Sequence, residues 1–181
     1  MAATTAGDSP RISLPKDSEL TPEIRSTLEA LPPLNVFRMM ARAPASFQPL
    51  VEFALSILLK SELAARDREI AVLRVAQATR AEYEWVQHVA LAKRVGVRQE
   101  EIDRIAEPGP VTGLDAAGNL LCRVADEISR DVRLSDEALA QIIERYGERQ
   151  ASELILCCAY FNMLSRVLES CRVELEADAV L

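Results

Sequence analysis

Aromatic residues are scarce, at 4% of 181. Leucine, alanine, valine and isoleucine must therefore build the core. There is one tryptophan, Trp85, and one histidine, His88. No HExxH is present, and none of Cys122, Cys157, Cys158 and Cys171 is spaced as CxxC, so no metal site is expected. Cys157 and Cys158 adjoin in the apolar run LILCCAYF and are expected to be buried thiols in a reducing cytoplasm. Basic clusters are missing too. Net charge is −7 and the pI about 4.9, which argues against a nucleic-acid partner, since that would need a basic face to displace counterions. No apolar run reaches the roughly 18–20 residues of a membrane span. The start, MAATTAGDSPRISLPKDSEL, lacks the basic-then-apolar order of a secretory signal. A cytoplasmic protein with no membrane contact is the expectation. Strand-like alternation of useful length and Asn-Gly hairpin signals are also wanting.

What is present is an ordinary globular balance, 49% apolar and 27% charged. A chain of this size hides about 70% of its unfolded surface when it folds as one domain. Residues 1–20, rich in Ala, Thr, Ser, Pro and Asp, read as an extended arm, expected to lie across a neighbouring subunit. Residues 21–176 read as one helical domain, and 177–181 as a tail. Thr21-Pro22-Glu23 starts a helix with a capping hydroxyl, a first-turn proline and an acid. A short segment, LNVFRMMARAP, puts Val36, Phe37, Met40 and Ala41 on one stripe and is closed by Pro44. Residues 46–60 carry apolar groups at 50, 51, 54, 55, 58 and 59, with Pro49 in the first turn. The next pattern, ARDREIAVLRVAQAT, turns Ile70, Leu73, Val75 and Ala76 inward. RAEYEWVQHVALAKRVG follows, ended by Gly96. Helices are also expected over 99–106, 114–131, 135–146 and about 148–172, with Gly147 as an interruption. The fold class is all-α: a single-domain helical bundle of about seven or eight helices.

The chemistry concentrates at RAEYEWVQH, residues 80–88. Glu84 and His88 are four apart and share a helix face. Glu69 lies on the preceding helix, and a turn near 79–81 can fold it back toward them. A carboxylate beside an imidazole raises its proton affinity, and the pair can hold or pass one proton near neutrality. The same spacing also arises on ordinary exposed helices. Tyr83 and Trp85 flank Glu84; Tyr83 can reach a substrate oxygen, and Trp85 suits packing. Asn162 and Arg166 are four apart in an apolar helix. They form either a structural network or a subsite for a carboxylate or carbonyl. Arg74 is expected to pair with an acid, Glu69 among the choices.

This segment resembles the carboxymuconolactone decarboxylase and alkylhydroperoxidase D family. Its peroxidase branch carries Glu, then after twelve residues the first Cys of CxxC, and a His four past the second Cys. Glu69, Ala81, Glu84 and His88 keep that spacing while both thiols are gone. The decarboxylase branch also lacks the thiols and typically has Glu and His at the last two positions. PPLNVFRMMARAP and YFNMLSR look like segments of longer members of the family. The resemblance spans roughly residues 22–176 and implies an all-helical subunit that assembles as trimers or hexamers, with sites near subunit contacts. Without a thiolate nucleophile and resolving thiol, peroxide reduction is disfavoured. The expected activity is cofactor-free acid–base chemistry, of lyase or isomerase type, on a small organic acid or lactone. His88 and Glu84 would be catalytic and Glu69 a supporting carboxylate, with Tyr83, Trp85, Asn162 and Arg166 toward the substrate. A non-catalytic, oligomeric ligand-binding protein is the alternative.

Overall fold

The structure, a computed structural model, describes residues 11–176. Eight α-helices succeed one another: α1 (Pro22–Glu29), α2 (Asn35–Met40), α3 (Pro44–Lys60), α4 (Ala65–Thr79), α5 (Glu82–Arg94), α6 (Gln99–Ala106), α7 (Ala116–Asp131) and α8 (Asp136–Cys171). Among the described residues there is no strand, and the expected all-α bundle is the fold. Local chemistry sets several helix starts. The Thr21 hydroxyl accepts from the Ile24 N–H, Asp115 from Gly118 and Ser135 from Ala138, each satisfying a donor that the first turn leaves free.

The bundle is organised around α4, which packs against α5, α6, α7 and α8. Every residue from 69 to 76 is buried, more than the single inward face read from the apolar spacing. A helix enclosed by four others has no solvent side to keep polar. Two of its buried residues are nonetheless charged, Glu69 and Arg74. Arg74 is fully paired. It forms a two-pronged bridge to Asp126 of α7, at 2.9 and 2.7 Å. It also donates to the carbonyls of Ile105 and Glu107, each at 2.9 Å, and to that of Gly109. Its acid is thus Asp126 rather than Glu69, because five residues of helix turn the two side chains to different sides.

Two prolines differ from the sequence expectation. Pro44 opens α3 instead of closing the preceding segment, using the first position, where a missing N–H costs nothing. Pro49 then falls inside the helix, beyond the first turn, and the Ala45 carbonyl has no α-helical N–H partner there. The buried face of α3 is Phe47, Val51, Ala54 and Ile57, and Leu59 is 75% exposed. α8 is bent at Gly147, whose φ of 72° and ψ of 165° suit glycine alone. This is the expected interruption between two helical stretches. By length and composition α8 could cross a membrane, contrary to the sequence reading, but half of its apolar window is buried within the bundle.

Residues 11–20 run along their own subunit. The Ile12 N–H donates to the Cys171 carbonyl, Arg42 to the Ser13 carbonyl and Arg38 to the Pro15 carbonyl. The rest of the arm, residues 1–10, and the tail 177–181 lie outside the described residues.

Candidate functional site

α4 ends at Arg80, which takes the left-handed conformation (φ 57°). The N–H groups of Arg80 and Ala81 donate back to the carbonyls of Gln77 and Ala76, the hydrogen-bonded reversal that often ends helices. The turn lays α5 back along α4, so a carboxylate on one helix meets an imidazole on the other. Glu69 Oε2 is 2.7 Å from His88 Nδ1, and Glu84 Oε2 is 3.4 Å from His88 Nε2. All three side chains are buried, Glu69 completely and the other two 3% exposed. The Arg68 guanidinium donates to the other Glu69 oxygen at 3.1 Å. The Phe161 ring meets the imidazole edge-on, with centroids 4.8 Å apart, and so restrains its rotation.

Burial is the largest single influence on the imidazole and works against its charged form. The Glu69 charge and hydrogen bond, joined by Glu84, outweigh it and raise the His88 pKa to about 9. Burial likewise raises the Glu69 pKa, but the His88 and Arg68 charges reverse this and leave it lowered. At neutral pH the pair is therefore imidazolium and carboxylate. Nδ1–H donates to Glu69, and Nε2–H points toward Glu84.

Beside Nε2 lies a cavity of about 40 Å³. His88, Glu84, Tyr83 and Gln87 line it from α5, Val36, Phe37 and Met40 from α2, and Tyr160, Phe161 and Leu164 from α8. Glu69 stays behind the ring. The space holds a water or two, so an organic ligand needs the walls to part. Larger clefts exist, one of about 500 Å³ between the 110–112 loop, α7 and α8. That cleft lacks the imidazole and the buried carboxylates, and chemistry rather than size makes the smaller cavity the candidate site.

Of the residues singled out from sequence, Glu69, Glu84, His88 and Tyr83 converge here. Tyr83 accepts from the Val36 N–H at 3.1 Å and donates to Glu176 at 2.6 Å. Three others do not converge. Trp85 is half-buried on the opposite side of α5, in a shallow cleft with Ala76, Gln77, Arg80 and Ala106. Asn162 donates to the Ser129 hydroxyl and the Cys158 carbonyl, each at 2.9 Å. Arg166 donates to the Asn162 side-chain and backbone oxygens at 2.7 and 2.8 Å. This is a network tying α8 to α7, outside the cavity, so their expected place at the substrate is corrected to a structural one. Tyr160, Phe161, Gln87, Arg68 and Glu176 escaped the sequence reading. For Tyr160 and Phe161 the available signal was two aromatics inside LILCCAYF, in a chain that has few. The Tyr160 hydroxyl is buried with no hydrogen-bond partner, an uncommon state for a native polar group. Among the described residues no group of three or more His, Cys, Asp and Glu side chains is arranged to hold a metal ion. Cys122, Cys157 and Cys158 are free and buried. Burial pushes the thiols of Cys122 and Cys158 up to about 12 and that of Cys157 well above the usual range.

Comparison with known proteins agrees with this architecture. Residues 44–127, from the start of α3 into α7, match the carboxymuconolactone decarboxylase family. Two solved structures share the fold over nearly the whole chain. One is an uncharacterized peroxidase-related protein from Silicibacter sp. TM1040 (18% identity, 97% of each chain, TM-score 0.79). The other is an alkylhydroperoxidase AhpD core, an uncharacterized peroxidase-related protein from Ralstonia eutropha JMP134 (17% identity, 93% of each chain, TM-score 0.80). No curated protein matches. Residues 44–127 are thus similar to the carboxymuconolactone decarboxylase family, within a chain whose fold is alkylhydroperoxidase D-like.

Proposed function

We propose that the protein is a cofactor-free acid–base enzyme, a lyase or isomerase acting on a small organic acid or lactone. The observation that carries the reading is one buried imidazole held between two carboxylates, Glu69 at 2.7 Å and Glu84 at 3.4 Å, on an apolar cavity. With its pKa raised to about 9, His88 is a proton donor at neutral pH. In a decarboxylation the bond from carbon to the carboxylate breaks and CO₂ leaves, and the electron pair stays on the substrate as a conjugated carbanion. Nε2–H then delivers its proton to that carbon, forming the C–H bond and leaving neutral imidazole. Glu69 holds the ring through Nδ1 and stabilises the cation before transfer. Glu84, on the cavity side, steers the Nε2 proton, and a proton from water restores the imidazolium after CO₂ has left. The unpartnered Tyr160 hydroxyl is placed to donate to a substrate oxygen. Peroxide reduction is the weaker reading, since Ala81 and Glu84 stand where thiols would be needed and the buried cysteines favour the inert thiol form.

The same reading places the protein in the cytoplasm as a homo-oligomer, a trimer or hexamer. Exposed Leu156, Met163 and Val167 on α8 favour a second copy as their cover. The test is turnover of muconolactone-type acids by wild type, His88→Ala and Glu84→Gln. His88→Ala is expected to lose at least about a hundredfold in kcat. Equal turnover in all three proteins would remove the assigned roles. Binding without turnover in wild type would identify a non-catalytic ligand-binding protein.

A further inference from the structure

Two residues that line the cavity, Tyr83 and Gln87, hold one of the chain's own carboxylates. Beyond α8, residues 173–176 leave the helical conformation, and the Asn35 side chain fixes them by donating to the Glu174 carbonyl at 2.9 Å. The Glu176 carboxylate then receives three donors. Tyr83 Oη gives 2.6 Å to Oε1, Gln87 Nε2 gives 2.8 Å to Oε2, and the Asn35 backbone N–H also donates to Oε1. Tyr83 and Gln87 are 3% and 2% exposed and line the cavity. They occupy α5 immediately beside Glu84 and His88, one helical stripe away.

Three neutral donors from two helices, converging on both oxygens of a carboxylate, make a built carboxylate receptor. We propose that this receptor is the anchoring subsite for the carboxylate of a small apolar acid, and that Glu176 occupies it as a tethered stand-in until such a ligand displaces it. Exchange of one carboxylate for another leaves the local charge unchanged, so it adds no repulsion from Glu84. An acid anchored there extends its apolar body along Val36, Phe37, Met40 and Leu164 toward His88. The proposal rests on the cavity being the ligand site, and it names the group that orients the ligand. The stand-in side chain sits on a segment with no secondary structure. A tethered competitor acts at a high effective concentration and depresses the apparent affinity of free acids.

Calorimetric titration with hexanoate and with hexan-1-ol, using the full chain, tests this. Glu176→Ala is expected to bind hexanoate at least tenfold more tightly than wild type, with hexan-1-ol changed less than about twofold. Glu176→Gln, which keeps the shape and loses the charge, is expected to move in the same direction. Adding Tyr83→Phe to Glu176→Ala is expected to abolish most of the gain. Unchanged or absent hexanoate binding in both Glu176 variants would overturn the proposal. So would equal gains for acid and alcohol, which would mean that only apolar space had opened, or a gain that survives Tyr83→Phe. The measurement involves no turnover, so loss of the acid–base reading would leave its outcome unaffected.

Discussion

Replacing Glu69 by glutamine keeps the shape behind the imidazole and removes the charge that holds its proton. Two unit charges about 4 Å apart attract by roughly 4 kcal/mol at an effective dielectric near 20, about three powers of ten in proton affinity. In wild type the pKa is raised to about 9 although the ring is only 3% exposed. In Glu69→Gln, with Glu84 alone at 3.4 Å, it should fall to about 6. The chain has one histidine, so imidazole nitrogen NMR gives a single titration curve for each protein. Stability must follow the same equilibrium. A histidine whose folded pKa is raised contributes stability that is fully present below the unfolded value near 6.5 and is lost as pH rises through about 9. The loss amounts to about 3 kcal/mol, read as a falling urea midpoint between pH 6 and 9.5. In Glu69→Gln that decline should vanish. A wild-type titration centred near 6.5, or identical curves for the two proteins, would refute the electrostatic account of the site.

Two further outcomes are expected. Asp126→Asn leaves the buried Arg74 guanidinium without its counter-charge and should cost about 3–5 kcal/mol in chemical denaturation, while the His88 titration is unmoved. Native-state labelling with a thiol reagent should modify only partly exposed Cys171 promptly, with Cys122, Cys157 and Cys158 reacting on unfolding; prompt labelling of Cys157 or Cys158 would reopen a redox role.

Much of the fold could be read from short-range chemistry. Thr21, Ser135, Gly96 and Gly147 mark helix boundaries because capping and left-handed geometry depend on one or two residues. The α4 and α5 patterns, with their short connection, gave the pairing of Glu69 with His88 in outline. Pro44 and Pro49 were misplaced because a proline can close one helix or open the next, and only the packing of Phe47 against the core decides. Asn162 and Arg166 looked the same in sequence whether they faced a substrate or Ser129. Glu176 lay beyond reach: its meeting with Tyr83 and Gln87 spans about ninety residues, a distance over which no periodicity carries information. Composition likewise gave no sign that Tyr160 would be left without a partner.

One consequence of α4 concerns mechanical stiffness. Glu69 near its start and Arg74 one and a half turns later are both fastened, the first to the imidazole and the second to Asp126 and the 105–109 backbone. The rod between them touches protein on every side. A tilt that lengthened the contact with the imidazole would have to drag the guanidinium out of its clamp as well. The reactive spacing is thus braced from a point well outside the cavity, and thermal motion that admits a ligand falls to the α2 wall, which packs on α3 rather than on α4.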